Sequence, residues 1–233
     1  FLEVAVGGYT VPEAAWRTSK VKYLFAYLAA FDDRPVPEDR LVEEFWPGDF
    51  ERARRNLYKA TSVIRAALRE GDGSRRREWI VRERGCLQLD PNVPRWHDLE
   101  EVLQARSDSI EDQRRAVQLY RGAYLEGCYM DWALAIRSQV EERMLDALSR
   151  VARQALDDGS PQEASECARR GLEIDPCHQL SHLRLMQALV AQGRPEEAVR
   201  QFSVCQRRLK NELGVEPSLE IMDFYHRARL SLP

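Results

Sequence analysis

Gly159, Pro161, Glu163 and Ala164 recur as Gly193, Pro195, Glu197 and Ala198, each 34 residues later. Each residue type in that pattern has a mechanical meaning. Glycine closes a helix in the left-handed conformation, proline fits the first helical turn, and glutamate there complements the helix dipole. The repeating unit is therefore a turn followed by a helix start, and a period of this length corresponds to a pair of antiparallel helices. Each pair leaves an apolar face for its neighbour, so the pairs stack into a curved helical array with a groove. The sequence ahead of the repeat agrees. After Pro91 and Pro94 helices are expected throughout: from Trp96 to about Ala105, over 111–121, and over 132–157 beyond a Gly- and aromatic-rich loop running from Gly122 to Asp131. Residues 96–233 thus read as one all-α domain.

Residues 1–92 are patterned differently and read as a domain of their own. The run from Phe1 to Val6 and the stretch Tyr9-Thr10-Val11 flank Gly7-Gly8, which is a short hairpin. Thr18 or Ser19 can cap a helix carrying Val21, Leu24, Phe25, Leu28 and Ala29 at helical spacing, and Pro35 and Pro37 break it. A short helix from Glu38 to Phe45 turns Leu41, Val42 and Phe45 inward. Trp46-Pro47-Gly48-Asp49 then supplies a stop, a turn and a cap for a third helix.

That third helix, over 50–70, is the most informative segment. Phe50, Ala53, Leu57, Ala60, Ile64, Ala67 and Leu68 form one core stripe at spacings of three and four. With Leu57 at the centre of the buried side, Arg55, Lys59, Ser62 and Ala66 fall opposite. Arg52, Asn56 and Val63 lie on one flank, and Tyr58, Arg65 and Arg69 on the other. No carboxylate occurs from Arg52 to Arg69. A helix face offering Arg, Lys, Asn, Ser and Tyr suits phosphates and base edges; alone, it is more often a solvated basic face. The next segment of the chain adds weight to the first possibility. Gly71-Asp72-Gly73-Ser74 ends the helix, and Arg75-Arg76-Arg77 leads into Trp79-Ile80-Val81-Arg82. A turn at Glu83-Arg84-Gly85 then gives Cys86-Leu87-Gln88-Leu89. Strand pair, three helices and a basic terminal hairpin is the order of a winged helix. The fold class is mainly α with small β elements, a winged helix-turn-helix followed by the helical repeat domain.

Charge sharpens the picture. Residues 52–84 carry 11 Lys and Arg against 4 Asp and Glu, whereas residues 97–233 carry 18 against 23. The basic charge is concentrated on the third helix and hairpin, and the helical half is a poor nucleic-acid surface but a plausible protein-binding one. No run of 18 apolar residues and no signal-peptide pattern occurs, so no membrane partner is expected and a cytoplasmic location is. Because the chain opens at Phe1 inside a strand-like run, a longer polypeptide is expected. Five scattered cysteines without a C-x-x-C pair argue for reduced structural thiols rather than a disulfide or zinc framework. His178 and His182, four apart, could share a metal, but no third ligand lies near in sequence and two polar helix positions is the preferred reading. No cofactor is expected. Without a Gly-rich phosphate loop, a G-x-S-x-G turn or an H-E-x-x-H pair, an enzyme is the least favoured class. Trp16, Trp46, Trp79, Trp96 and Trp132 stand at element boundaries, as core anchors do; Tyr58 is the one aromatic placed to meet nucleic acid.

These stretches together resemble a bacterial family, the antibiotic-regulatory-protein type of transcriptional activator. It joins a response-regulator-type winged helix to a tetratricopeptide-like bacterial transcriptional activator domain. The resemblance rests on Trp16-Arg17-Thr18-Ser19-Lys20-Val21, on Arg34-Pro35-Val36, and on the run from Arg40 to Pro47. It continues in Glu51-Arg52-Ala53-Arg54-Arg55-Asn56-Leu57 through Ala60 and Ser62 to Leu68. In the second half it is carried by Leu119-Tyr120-Arg121-Gly122, Trp132 and the closing run Glu212-Leu213-Gly214-Val215-Glu216-Pro217-Ser218. The chain departs from the family pattern before Phe1, where a further strand is usual, and at Arg84-Gly85-Cys86, where a glycine and an aromatic are more common.

The resemblance implies a third helix in the major groove, a wing on the neighbouring backbone and directly repeated half-sites in promoter DNA. Arg55, Asn56, Lys59 and Ser62 are the candidates for the groove, Arg52, Tyr58 and Arg65 for nearby phosphates, and Lys20, Arg82 and Arg84 for further backbone contacts. It also implies that Trp46, Pro47, Gly48 and Asp49 touch RNA polymerase or its sigma factor. The helical domain would serve self-association on DNA, regulation, or docking of a neighbouring sensory domain. The alternative is a protein–protein interaction module that uses the helical array, with a winged helix that does not bind DNA.

Overall fold

The computed structural model describes residues 2–72 and 77–230. Phe1, Gly73, Ser74 and two residues of the basic run, Arg75 and Arg76, lie outside them. The chain forms two compact units. One comprises Phe1–His97 with Tyr124–Leu134, the other Asp98–Ala123 with Ala135–Pro233.

In the first unit, strands β1 (Ala5–Val6) and β2 (Tyr9–Thr10) pair antiparallel around Gly7 and Gly8, both at positive φ. A single 3-10 turn, Glu13–Trp16, leads to Thr18, which is extended and accepts at Oγ1 from the Val21 amide at 3.3 Å. That cap starts α1 (Ser19–Ala30), which buries Val21, Leu24, Tyr27 and Leu28. A two-residue strand, β3 (Val36–Pro37), runs directly into α2 (Glu38–Phe45), and α3 (Phe50–Asp72) comes next. Asp49 caps α3, its carboxylate accepting from the Arg52 amide at 3.1 Å. Strands β4 (Ile80–Glu83) and β5 (Cys86–Leu89) form the terminal hairpin, and β3 joins them to give the order β3-β5-β4.

The stripe of α3 is the unit's core: Leu57 and Ile64 are fully inaccessible, and Ala53, Ala60, Ala67 and Leu68 nearly so, with α1 and α2 both packed on this helix. Full burial of a leucine-sized side chain stabilises by about 1.5–3 kcal/mol, so this stripe fixes which face of α3 remains outside. Phe50 is the exception. It is 45% exposed because, as the first helical residue beside the exposed turn 47–49, it stands beyond the covered part of the stripe. Tyr27 is the aromatic hub, its ring 5.7 Å from Phe45 and 5.1 Å from Trp132, both edge-on. Trp16 and Trp132 are buried and Trp46 and Trp79 half-buried, whereas Trp96 is 63% exposed rather than a core anchor. Its neighbours Arg95 and His97 both approach Asp32, at 2.6 and 3.9 Å, so the residue between them in this extended segment faces the other way.

The second unit is all-helical: α4 (Asp98–Gln104), α5 (Ile110–Leu119), α6 (Asp131–Asp157), α7 (Pro161–Ile174), α8 (Gln179–Ala191), α9 (Pro195–Arg208) and α10 (Leu219–Leu230). A single π turn, Leu209–Leu213, extends α9 to Gly214. The repeat is visible in backbone detail. Gly159 and Gly193 have the same φ of +73°. The residue after each donates five residues back, Ser160 to Ala155 at 2.7 Å and Arg194 to Leu189 at 2.9 Å, which is the Schellman closure of a helix. Ala164 and Ala198, the last repeated positions, are both fully buried. Successive helices α7 to α10 pack on one another around Leu183, Met186, Phe202, Cys205, Leu209 and Ile221. Among the described residues no helix is long and apolar enough to cross a membrane.

His178 precedes α8, with Nδ1 2.8 Å from the Ser181 hydroxyl, and His182 is buried. Its Nδ1 accepts from the Gln201 amide at 2.7 Å, leaving Nε2 to donate to the Pro176 carbonyl at 3.0 Å. Burial pushes both imidazoles below the ordinary histidine range. Among the described residues no group of three potential metal ligands occurs.

Candidate nucleic-acid interface

With its apolar stripe inside, α3 presents Arg52, Arg55, Lys59 and Ser62 as exposed residues and Asn56 as a half-buried one. Arg55 and Lys59 are one helical turn apart, so their charged ends share one face. Glu51, one turn before Arg55, stands on the same face at the start of the helix, and from Arg52 to Arg69 no carboxylate follows. That stretch is a strip of donors suited to phosphate oxygens and to guanine in the major groove.

The hairpin beside it is held by a polar cluster built on Glu38. This residue opens α2 and is 5% exposed. Its backbone amide donates to the Gly85 carbonyl in the hairpin turn at 2.9 Å. Its carboxylate accepts twice from Arg82: Nε donates to Oε1, and Nη2 to Oε2 at 3.1 Å. Tyr58 on α3 donates to the same Oε2 at 3.2 Å. The Tyr58 hydroxyl in turn accepts from Arg82 Nη2 at 2.5 Å and from Arg54 Nε at 2.6 Å, and the Arg82 guanidinium lies 4.5 Å from the Tyr58 ring centre. Contact with the Tyr58 hydroxyl holds the Arg54 guanidinium above the ordinary arginine range. A buried carboxylate needs this degree of pairing, and the effect is to fasten α2, α3 and the wing to one another.

The hairpin turn has two residues, Arg84 and Gly85, between the paired Glu83 and Cys86. Both have positive φ, 50° and 76°, the geometry that matches the twist of flanking strands. Arg84 is thereby presented at the tip with its side chain 92% exposed.

The residues expected to touch DNA therefore fall into two groups. Arg52, Arg55, Lys59, Ser62 and Arg84 face outward. Tyr58, Arg82 and Arg65 are engaged internally: Arg65 Nη2 donates to the Ile80 carbonyl at 2.9 Å, tying α3 to β4. Lys20, exposed at the start of α1, has Nζ 5.7 Å from the Trp46 ring centre and so sits beside the α2–α3 turn rather than the wing. In that turn Trp46 is half-buried, its ring tilted against Phe45 at 5.8 Å, while Pro47, Gly48 and Asp49 are exposed. Sequence reasoning missed Glu38 and Arg54. Glu38 looked like one of several acidic residues at a helix start, and only the hairpin folding back onto it distinguishes it.

Replacing Glu38 with Ala is expected to loosen the wing. Arg82 and Arg54 are both partly exposed and can rehydrate, so the loss is discounted for solvent screening to about 1 kcal/mol. That lowers the thermal midpoint of this unit by about 4–8 °C, measurable by circular dichroism. A midpoint within about 1 °C of the parent contradicts the clamp.

Residues 100–229 match the bacterial transcriptional activator domain family. No curated protein matches the chain. Among solved structures, EmbR of Mycobacterium tuberculosis, determined in complex with a low affinity phosphopeptide, is similar with a TM-score of 0.75 at 19% identity. The match covers 97% of this chain and 62% of the EmbR chain, so the likeness is one of fold and spans only part of that protein. With its helical domain matched over residues 100–229, more than half of its length, the chain belongs to the bacterial transcriptional activator domain family.

Proposed function

We propose that the chain is a DNA-binding transcriptional activator whose α3 lies in the major groove of directly repeated promoter sites. The observation that carries this reading is the exposed basic face of α3, without a carboxylate from Arg52 to Arg69, beside a wing clamped by Glu38. Arg55, Asn56, Lys59 and Ser62 read base edges, and Arg52 and Arg84 take phosphates. Arg65, Arg82 and Lys20 contribute positive potential, and Arg65, Tyr58 and Arg82 hold the reading elements in place. The DNA-binding domain is residues 1–92 and the helical domain residues 96–233. The exposed turn Pro47-Gly48-Asp49, with Trp46 behind it, meets RNA polymerase or its sigma factor. The helical domain supports self-association on adjacent half-sites or docks a sensory domain of a longer chain, in the cytoplasm.

A second reading, a protein-interaction module without DNA binding, draws on the acidic helical array, with 18 basic against 23 acidic residues from position 97 onward. Binding to random duplex DNA at two salt concentrations separates the two. The DNA reading expects measurable binding at about 50 mM salt that falls by roughly a hundredfold or more at about 200 mM, as counterion release by several cationic contacts requires. Negligible binding at the lower concentration would favour the interaction module.

A further inference from the structure

Within the helical unit a cleft of about 380 Å³ opens between the start of α5, the second half of α6, and α8. Ser149, Arg150, Arg153 and Asp157 of α6, Arg184 of α8, and Asp108 ahead of α5 lie along it. Its size falls within the range of small-molecule sites, about 300–1,000 Å³.

The charges around the cleft are not balanced internally. Arg150 and Arg153 are exposed and have no ion pair among the described residues. Arg184 is half-buried and donates from Nη1 to Gln187 at 2.8 Å, but its Nε is buried without a partner. Burial, and then the neighbouring Arg153 charge, push the Arg184 guanidinium below the ordinary arginine range; Asp157 and Glu220 act in the opposite direction. Asp108 is committed to Arg106, at 3.1 and 2.8 Å. Ser149, 4% exposed, leaves its hydroxyl unpartnered as well. A buried hydroxyl and a buried guanidinium N–H each cost free energy when unsatisfied, and the residues that carry them line the same cleft as two cations that make no ion pair among the described residues. Guanidinium forks match the tetrahedral oxygens of phosphate.

We infer that this cleft is a binding site for a small phosphate-bearing molecule, held by Arg150, Arg153, Arg184 and the Ser149 hydroxyl. The phosphate lies between the guanidinium groups of α6 and α8, and a small shift of the Arg184 side chain on binding uncovers its Nε–H and the Ser149 O–H for the phosphate oxygens. Asp157 on the rim limits the anionic charge tolerated there and suits a ligand with a donor group, such as a ribose hydroxyl, beside its phosphate.

Calorimetric titration of the full chain with inorganic phosphate and with adenosine monophosphate tests this inference. Saturable binding is expected, with the nucleotide tighter if the rim takes a ribose. The Arg150→Gln/Arg153→Gln variant, altered only at exposed positions, should keep its unfolding midpoint and bind phosphate at least about tenfold more weakly. Ser149→Ala should weaken binding several-fold while leaving the unliganded midpoint unchanged or higher, because it removes an unsatisfied group; a purely structural serine would lower it. No saturable heat with either ligand, or equal affinity in the parent and the double arginine variant, overturns the site. Since DNA binding uses the other unit, either result leaves the reading of α3 to its own test.

Discussion

Replacing Arg55 and Lys59 together with Ala is expected to reduce affinity for a cognate promoter fragment by roughly a hundredfold or more. Each base-directed side chain contributes about 1–3 kcal/mol, and about 1.4 kcal/mol is tenfold. Both residues are exposed on α3 and make no ion pair among the described residues, so the double variant should unfold at the parent's temperature. Its loss would then belong to the interface and not to the fold. An Arg52→Ala variant should behave differently: a phosphate contact carries no sequence information, so binding weakens on all duplexes and the salt slope flattens by about one unit. Unchanged promoter affinity in the double variant would remove α3's outer face from the mechanism.

Gly71→Ala is expected to destabilise the winged-helix unit by about 1–3 kcal/mol, against the usual direction for a helical glycine, where alanine gains about 1 kcal/mol. Gly71 lies in the last turn of α3 under the first hairpin. A Cβ built there would stand 2.7 Å from the Val6 carbonyl oxygen and 3.0 Å from both the Val6 Cβ and the Tyr9 ring. The first of these contacts is backbone and cannot swing aside. The opposite approach is also tight, since a Cβ at Gly7 would meet the Gly71 carbonyl at 3.0 Å. The hairpin β1–β2 therefore rests on α3 backbone to backbone, helped by the Tyr9 hydroxyl donating to Glu70 at 3.2 Å. Thermal or urea unfolding of Gly71→Ala measures the effect. A rise in stability would show that this hairpin does not pack on α3 as described.

Much of the fold was legible because its signals are local. Thr18 and Asp49 each cap the helix immediately after them, and the two repeat glycines share one backbone angle because helix closure demands it wherever the same residues recur. The buried stripe of α3 and the face opposite it come from spacing alone. The features that escaped the sequence depend on partners distant along the chain. Strand β3 has two residues and no period to detect; it exists because β5 pairs with it. Glu38 gains its meaning from Arg82 and from the Gly85 carbonyl, and Arg65 from the Ile80 carbonyl. The segment Tyr124–Leu134 belongs to the first unit and buries Leu125, Cys128 and Trp132, spaced three and four apart although α6 begins only at Asp131, so periodicity alone could not assign it.

The same distinction applies to the candidate interface. Arg52, Arg55, Lys59 and Ser62 could be placed on the outer face from the helical rotation, and the structure leaves them there. Whether a basic side chain is free or already engaged was not legible. Arg82 and Arg84 sit two positions apart on the same hairpin, yet one is bound to a buried carboxylate and the other stands at the tip.

Selection of bound duplexes from a random-sequence pool tests the central claim most directly. If α3 reads the major groove, the intact chain enriches one motif, repeated in the same orientation at a fixed spacing, and the Arg55→Ala/Lys59→Ala variant enriches none. Failure of the intact chain to enrich any sequence, or recovery of the same motif by the variant, would contradict the account.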